Sequence, residues 1–417
     1  MPFTDAFGIS RRELLAGMGA GGTGLTLGAR PARAQTGAVK VGAIHPVSGV
    51  LAQIGQACRQ GAHLAVAHVN GSGGLASKGG ARLELLVGDS ESKTEVGAAE
   101  AERLIREGAK VIVGAFQSDV VMAIAQVCER RGVPFVVDVG AADQITRSGF
   151  AHVFRVFPTT STLGTNGMRY LNEVIARSGA RVERAVVSHT KDLFGTVVSK
   201  AFLAAHEAAK SPIKIVDVIS YDLNVQDLST EVARIKAAKP DVLLPFNRIR
   251  DSVMLVRELY KQRVPLTGIL SPGSPGWYEK EFIEQAGPLG EYAMDAPPWY
   301  NPRSRVFQTV QAVFQTTYGR GVDTNSGYSY EGIMVAADAL ERAKSLEAGA
   351  ILAALKATRI AQPLMAGGAI VFDETGQNVN ASTSLVQVQK RRAVVVLPDA
   401  EAEAKPVFPA PGWDKRT

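Results

Sequence analysis

Val39-Lys40-Val41-Gly42-Ala43-Ile44 is followed closely by residues 53–69, where Ile54, Cys58, Ala62, Ala65, Val66 and Val69 recur at helical spacing. The first segment is a β-branched run of the kind buried within a sheet. The second reads as a helix laid against it. A Gly-rich turn over 70–74 leads to a second strand over 83–87. Ser92-Lys93-Thr94-Glu95 has capping-box spacing and predicts a helix that runs to Glu107 and stops at Gly108. A strand at 111–113, a helix at 120–131 and a strand at 134–137 complete a βαβαβαβ series. Such alternation predicts a parallel sheet covered by helices on both faces.

The pattern restarts after 153–156, which reads as extended. A helix is expected at 160–178, then strands at 184–188, 213–219, 241–245 and 266–270, with helices at 195–209, 226–238 and 251–262. Helices at 303–318, 329–344 and 348–357 follow, then strands at 369–372 and 384–389. The Pro-rich tail, 398–417, reads as irregular. No tandem repeat is present. The chain therefore reads as two α/β units of similar size.

The N-terminus carries Ser10-Arg11-Arg12-Glu13-Leu14-Leu15, a short apolar run interrupted by glycines, and Ala32-Arg33-Ala34. Adjacent arginines, an apolar segment and an A-x-A site read as a twin-arginine signal peptide over 1–34. The apolar run falls short of the roughly 20 residues a membrane span needs. No cysteine lies at the expected cleavage site, so a free periplasmic product is expected rather than a lipid-tethered one. Removing 1–34 takes away four basic and two acidic residues and lowers the formal charge from +6 to +4. The remaining basic residues are scattered, which argues against nucleic acid as a partner. Cys58 and Cys128 fall on the first and third helices. Right-handed crossovers with strand order 2-1-3-4 place those helices on opposite sheet faces, so both thiols are expected to stay reduced.

Motifs of catalysis are absent. Gly17-Met18-Gly19-Ala20-Gly21-Gly22 matches G-x-G-x-x-G but follows no strand, and Gly71-Ser72-Gly73-Gly74 follows a helix. There is no phosphate-binding P-loop, no H-E-x-x-H and no G-x-S-x-G. The six histidines show no metal-ligand spacing. No catalytic residue, metal or cofactor is expected. His45 and His189 stand out only because they sit at carboxyl ends of expected strands, where α/β proteins bind ligands. The loops there are small and polar, as in Gly114-Ala115-Phe116-Gln117-Ser118 and Asp138-Val139-Gly140-Ala141-Ala142.

The run from Val39 to Gly49 resembles the opening of periplasmic leucine/isoleucine/valine-type binding proteins. So do Gly55, Gly61-Ala62 and 70–74. The resemblance continues at Val111-Ile112-Val113-Gly114, Gly132-Val133-Pro134-Phe135, Val153-Phe154-Arg155, 235–242 and Phe372-Asp373-Glu374-Thr375-Gly376. It implies a type I periplasmic binding fold: two doubly wound parallel-sheet lobes joined by three crossovers, with ligand in the cleft. The crossovers would fall near 155–159, 293–298 and 361–368. Lobe one would be 38–156 with 296–362, and lobe two 157–295 with 363–417.

The same resemblance implies a ligand site. Ser118, next to Gln117, stands where the family holds a ligand carboxylate. Gly140 and Ala142 stand in a loop offering backbone groups, with Ala142 in place of a usual Thr. Phe194 replaces the Tyr of a Tyr-Gly pair, Arg248 replaces another Tyr, and Ile54 replaces an aromatic. The family's ammonium-binding acid would lie near 271–277, which reads Ser-Pro-Gly-Ser-Pro-Gly-Trp without an acid. A carboxylate lacking an α-ammonium group is therefore expected. Ser118, Arg248 and backbone at Gly140 would contact the anion, with Phe194 and Trp277 over an apolar body. The alternative for Arg248 is a surface arginine paired with Asp251.

These readings together imply a monomeric, non-enzymatic periplasmic solute-binding protein. It would take an amino acid or an aromatic or aliphatic acid by cleft closure and deliver it to the inner-membrane permease of an ABC importer. A sensor of the same fold reporting to a membrane receptor is the alternative. A secreted α/β enzyme is a more distant one.

Overall fold

The computed structural model describes residues 37–416. The expected signal peptide, 1–34, lies outside the described residues. The chain forms two compact units: residues through Phe157 with Arg303–Ala381, and Pro158–Pro302 with Ser382–Thr417.

Unit 1 begins with β1 (Val39–His45), α1 (Ala52–Gly71), β2 (Leu83–Asp89), α2 (Thr94–Arg106), β3 (Val111–Gly114), α3 (Ser118–Arg131), β4 (Phe135–Val137), α4 (Gln144–Arg147) and β5 (Val153–Arg155). Unit 2 follows with α5 (Thr160–Ser178), β6 (Arg184–Thr190), α6 (Leu193–Ala208), β7 (Lys214–Tyr221), α7 (Ser229–Ala238), β8 (Val242–Phe246), α8 (Ile249–Lys261), β9 (Gly268–Ser271), α9 (Lys280–Ala286) and β10 (Met294–Asp295). Unit 1 resumes with α10 (Arg305–Tyr318), α11 (Thr324–Arg342), α12 (Ala348–Lys356), β11 (Arg359–Ile360) and β12 (Ile370–Val371). The hairpin β13 (Leu385–Gln389) and β14 (Arg392–Leu397) ends the regular structure in unit 2.

In unit 1 the sheet order is β2-β1-β3-β4-β5, parallel throughout. Its central strands are apolar runs with Val41, Val111, Val113 and Phe135 fully enclosed. Helix α11 is buried from Thr324 through Leu340 and packs against α1. A Cβ on Gly61 would meet Ser326 O at 2.0 Å, so only glycine permits that crossing. The helix begins five residues before the sequence-based start at 329. Asp323 caps it, accepting from Ser326 N at 2.7 Å while Ser326 Oγ accepts from Asp323 N at 3.0 Å. Its polar first turn hides the helical period.

Cys58 and Cys128 are both buried and form no disulfide. Burial pushes the Cys128 thiol far above its ordinary pKa. The expected capping box at 92–95 is not formed. Lys93 caps α2 with no side-chain bond. The Ser92 hydroxyl instead accepts from Leu51 N at 3.2 Å and donates to Ser48 O at 3.1 Å, tying down the loop after β1.

Unit 2 departs from a purely parallel sheet. Its order is β14-β13-β10-β9-β8-β6-β7, in which β13 runs antiparallel to both β10 and β14. The turn at Lys390 and Arg391 has φ of 52° and 62°, a conformation usually taken by Asn-Gly. Buried Glu291 supports it by accepting from Lys390 N at 3.0 Å and Arg391 N at 2.7 Å. The tail is irregular, as expected, but fastened. Ala410 N donates to Thr267 O at 2.8 Å and Trp413 Nε1 to Val264 O at 2.8 Å.

The units also divide differently from 38–156 with 296–362 and 157–295 with 363–417. The second boundary falls after Pro302, because Trp299 and Tyr300 pack with Tyr278, Val386 and Val395 of unit 2. The third falls after Ala381. The β11–β12 hairpin stays in unit 1, where Arg155 N donates to Gly376 O and Asn378 N to Arg155 O.

Candidate functional site

In unit 1, Ser118, Gly140 and Ala142 come together at the carboxyl ends of β3 and β4. Ser118 is 3% exposed and opens α3, and its Oγ accepts from Ala142 N at 3.3 Å. The Ser118 hydroxyl proton is given to no acceptor among the described residues. At the start of α3, Val120 N donates to Asp119 Oδ1 at 2.9 Å and Val121 N to Gln117 O at 2.9 Å. Gln117 Nε2 donates to Ser92 O at 3.4 Å, and its buried Oε1 has no partner among the described residues. Ile54 lies in the first turn of α1 and is 5% exposed.

The loop carrying Gly140 and Ala142 is held from beneath by Arg155, which is fully buried. Its Nη1 donates to Gly140 O at 3.3 Å and Ala142 O at 2.7 Å, its Nη2 to Thr146 Oγ1 at 3.1 Å, and its Nε to Gln377 Oε1 at 2.6 Å. Burial pulls the Arg155 pKa down to about 9. No local spacing announced this role. The only hint was a charge at the end of the apolar run Val153-Phe154. Asp138 opens the same loop. Its Oδ2 lies 2.7 Å from His45 Nε2 and accepts from Ser329 Oγ at 2.6 Å, and all three residues are buried. His45 thus orients the loop from within the core. His189 is locally satisfied, its Nδ1 donating to Thr190 O at 2.8 Å.

In unit 2, Phe194 and Arg248 lie together, with the guanidinium 5.5 Å from the centre of the half-buried ring. Arg248 is not a surface residue paired with Asp251. It is 5% exposed, and its guanidinium contacts Asp192 Oδ2 at 2.5 Å and Thr190 Oγ1 at 3.2 Å. Asp251 instead accepts from the Arg248 backbone N at 2.9 Å and from Tyr221 OH at 2.8 Å. Burial pushes Asp251 upward. Burial also resists the Asp192 charge, but the Arg248 guanidinium and hydrogen bonds prevail and hold that carboxyl below its usual range.

Trp277 is not placed to cover a ligand. It is completely enclosed, its Nε1 donates to Asn247 Oδ1 at 2.7 Å, and its ring packs on Phe282 at 5.1 Å. The indole fills the core because its one polar atom finds a partner there. The window 271–277 also proves to have an acid beside it in space. Asp295 Oδ1 accepts from Gly273 N at 3.1 Å. Asp295 is fully buried, and that burial pushes its pKa well above the usual carboxylate range. Glu279, two residues past the window, is also buried.

A separate groove of about 860 Å³ on unit 1 is lined by Phe150, Phe154 and Phe372, with Arg147, Lys356 and Glu374 among its charges. None of the expected ligand residues reaches it. Among the described residues, no helix is long and apolar enough to cross a membrane, and no group of three or more His, Cys, Asp or Glu could hold a metal ion.

Both α/β units place polar loops at the carboxyl ends of parallel strands, where such folds bind ligands. Residues 38–393 match the periplasmic binding protein family, and the chain belongs to it. It is 30% identical over 393 residues to the Leu/Ile/Val-binding protein homolog 7 of Brucella abortus (strain 2308), covering 91% of this chain and 95% of that one. Its fold is similar to that of the branched-chain amino acid transporter substrate-binding protein LivJ from Streptococcus pneumoniae in complex with isoleucine. The TM-score is 0.73 at 19% identity, over 89% of this chain and 99% of that one. It is equally similar to a solute-binding protein of an ABC transporter from R. palustris in complex with benzoate, with TM-score 0.73 at 20% identity, over 90% and 97%. The family is one of binding proteins rather than enzymes, and its setting is the periplasm.

Proposed function

We propose that this protein binds a small organic carboxylate lacking an α-ammonium group and delivers it, as a monomer, to the membrane permease of an ABC importer. The observation that carries this reading is the window 271–277, where the family places its ammonium partner: it contains no acid, and Asp295, which accepts from Gly273 N at 3.1 Å, is fully buried. A ligand ammonium there would be desolvated without a counter-charge. On unit 1 the anion contacts are the Ser118 hydroxyl, the N-terminus of α3 and the backbone near Gly140. Relatives whose names or bound ligands specify branched-chain amino acids or benzoate bracket this choice.

The test is calorimetry with benzoate, phenylacetate and leucine. Benzoate or phenylacetate is expected to bind at least about tenfold more tightly than leucine, and Ser118→Ala to weaken them about tenfold. Tight leucine binding that Glu279→Gln abolishes would overturn the reading, because it would reveal an ionised ammonium site.

Export by the twin-arginine pathway belongs to the same proposal. Arg11→Lys combined with Arg12→Lys should leave the precursor inside the cell. Normal export of that double variant would remove the assignment.

A further inference from the structure

Three neighbouring strand ends of unit 1 each leave a hydrogen-bond acceptor unused among the described residues. The sheet order places β3 between β1 and β4. His45 ends β1, Gln117 lies shortly beyond β3, and Asp138 directly follows β4. A Cβ on Gly114 would meet Ile44 O at 2.3 Å, so glycine holds β3 close against β1 where His45 and Asp138 approach each other. Asp138 Oδ2 accepts from Ser329 Oγ at 2.6 Å and lies 2.7 Å from His45 Nε2. A carboxylate only accepts, so Nε2 carries the proton of that contact, with Ser329 Oγ beside it at 3.3 Å. The tautomer set by this network leaves His45 Nδ1 as an acceptor on the far side of the ring. Nδ1 has no partner among the described residues, and its residue is 2% exposed. Asp138 Oδ1 and Gln117 Oε1 are buried and equally unpartnered.

We propose that the ligand carries a hydroxyl besides its carboxylate, and that His45 is a specificity-determining residue whose Nδ1 accepts from that hydroxyl. The inference rests on the carboxylate reading above and names a narrower ligand class. Every residue it uses belongs to unit 1. Asp138 and Ser329 are positioning residues, since they hold the ring through Nε2 and fix its tautomer. Gln117 Oε1 is a second acceptor on the adjoining strand end, oriented by the bond from its Nε2 to Ser92 O at 3.4 Å. An acid without a hydroxyl leaves these acceptors buried and unpaired. A site built to take a ligand hydroxyl rejects the analogue that lacks it for that reason. A hydroxyl fits better than an ammonium, because the fully buried Arg155 guanidinium lies beneath the same loop, on Gly140 O and Ala142 O, and repels a cation.

The experiment is calorimetry of the full chain with two matched pairs: 4-hydroxybenzoate against benzoate, and 2-hydroxy-4-methylpentanoate against 4-methylpentanoate. Leucine serves as the ammonium probe. Wild type is expected to favour the hydroxylated member of at least one pair by about tenfold or more. His45→Gln keeps an amide N–H that can donate to Asp138 but has no Nδ1. It should cut the preference below about threefold by weakening the hydroxylated member. A merely structural role for His45 would weaken both members and leave their ratio intact. Gln117→Met removes Oε1, should also reduce the ratio, and serves as the test if His45→Gln does not fold.

Equal binding within both pairs by wild type overturns the proposal and leaves the carboxylate reading standing. A ratio that persists in His45→Gln, or in Gln117→Met where the first variant does not fold, overturns the proposal as well. Leucine bound in place of all four acids, or no probe bound, overturns the carboxylate reading and this narrower class with it.

Discussion

In unit 1 the strand-end loop is held by a buried arginine that donates to neutral groups. In unit 2 the corresponding region is held by an arginine that meets a carboxylate. Arg155 reaches the carbonyls of Gly140 and Ala142 and the side chains of Thr146 and Gln377. Arg248 spends itself on Asp192 and Thr190. The difference teaches that positive charge in a binding protein need not face the ligand. In unit 1 it fixes the backbone of the loop that carries Gly140 and Ala142. In unit 2 it is met by the Asp192 carboxylate.

The sharpest way to break this comparison is Arg155→Ala. It would leave two buried carbonyls and two side chains without their donor, at a cost of about 3–5 kcal/mol in denaturant unfolding. A loss below about 1 kcal/mol would mean the loop stands without Arg155, and the contrast between the units would collapse.

A slightly smaller effect is expected from pH. Glu331 on α11 is 2% exposed and accepts from Met365 N at 2.8 Å, and burial raises its pKa to about 7. Because the folded form holds this proton more tightly than the unfolded chain, its contribution is fully present below about pH 4.5. It is lost as pH rises through about 7, for a total of about 3 kcal/mol. Urea unfolding at pH 5 and pH 8 should show that decline, and Glu331→Gln should remove this part of it. Asp295 shifts in the same direction in unit 2, so Asp295→Asn apportions the remaining slope between the units. A Glu331→Gln variant with the wild-type slope would show that Glu331 does not drive it.

The smallest of the three effects concerns the tail of unit 2. Trp413 meets Tyr260 edge-on, lies under Arg416 at 3.9 Å and donates to Val264 O. Trp413→Ala should cost about 1–2 kcal/mol in thermal unfolding while leaving ligand affinity unchanged. A matching fall in affinity would tie the tail to the binding face and blur the separation of roles.

Much of the architecture was legible in the chain. Strand–helix alternation located the parallel sheet of unit 1, and α5 begins and ends where its period predicts, at Thr160 and Ser178. The β13–β14 hairpin was half missed because Lys390-Arg391 carries no turn signature and depends on Glu291, about a hundred residues earlier. Ser118 and Ala142, expected from the sequence to share one loop cluster, do meet in the structure. Trp277 misled because an aromatic in a loop looks the same whether it lines a site or fills a core.

By itself the sequence determined most of the strands and helices, that two α/β units exist, and where their polar loops fall. Periodicity records burial, and burial is a local property of each element. Only the tertiary structure decided the partners: Asp192 with Arg248 across 56 residues, Asp295 with the loop at Gly273, and Gln377 with Arg155 across 222. An ion pair or buried hydrogen bond between distant residues leaves no spacing to read. The sign of the charge that a ligand meets is therefore settled only once the chain has folded.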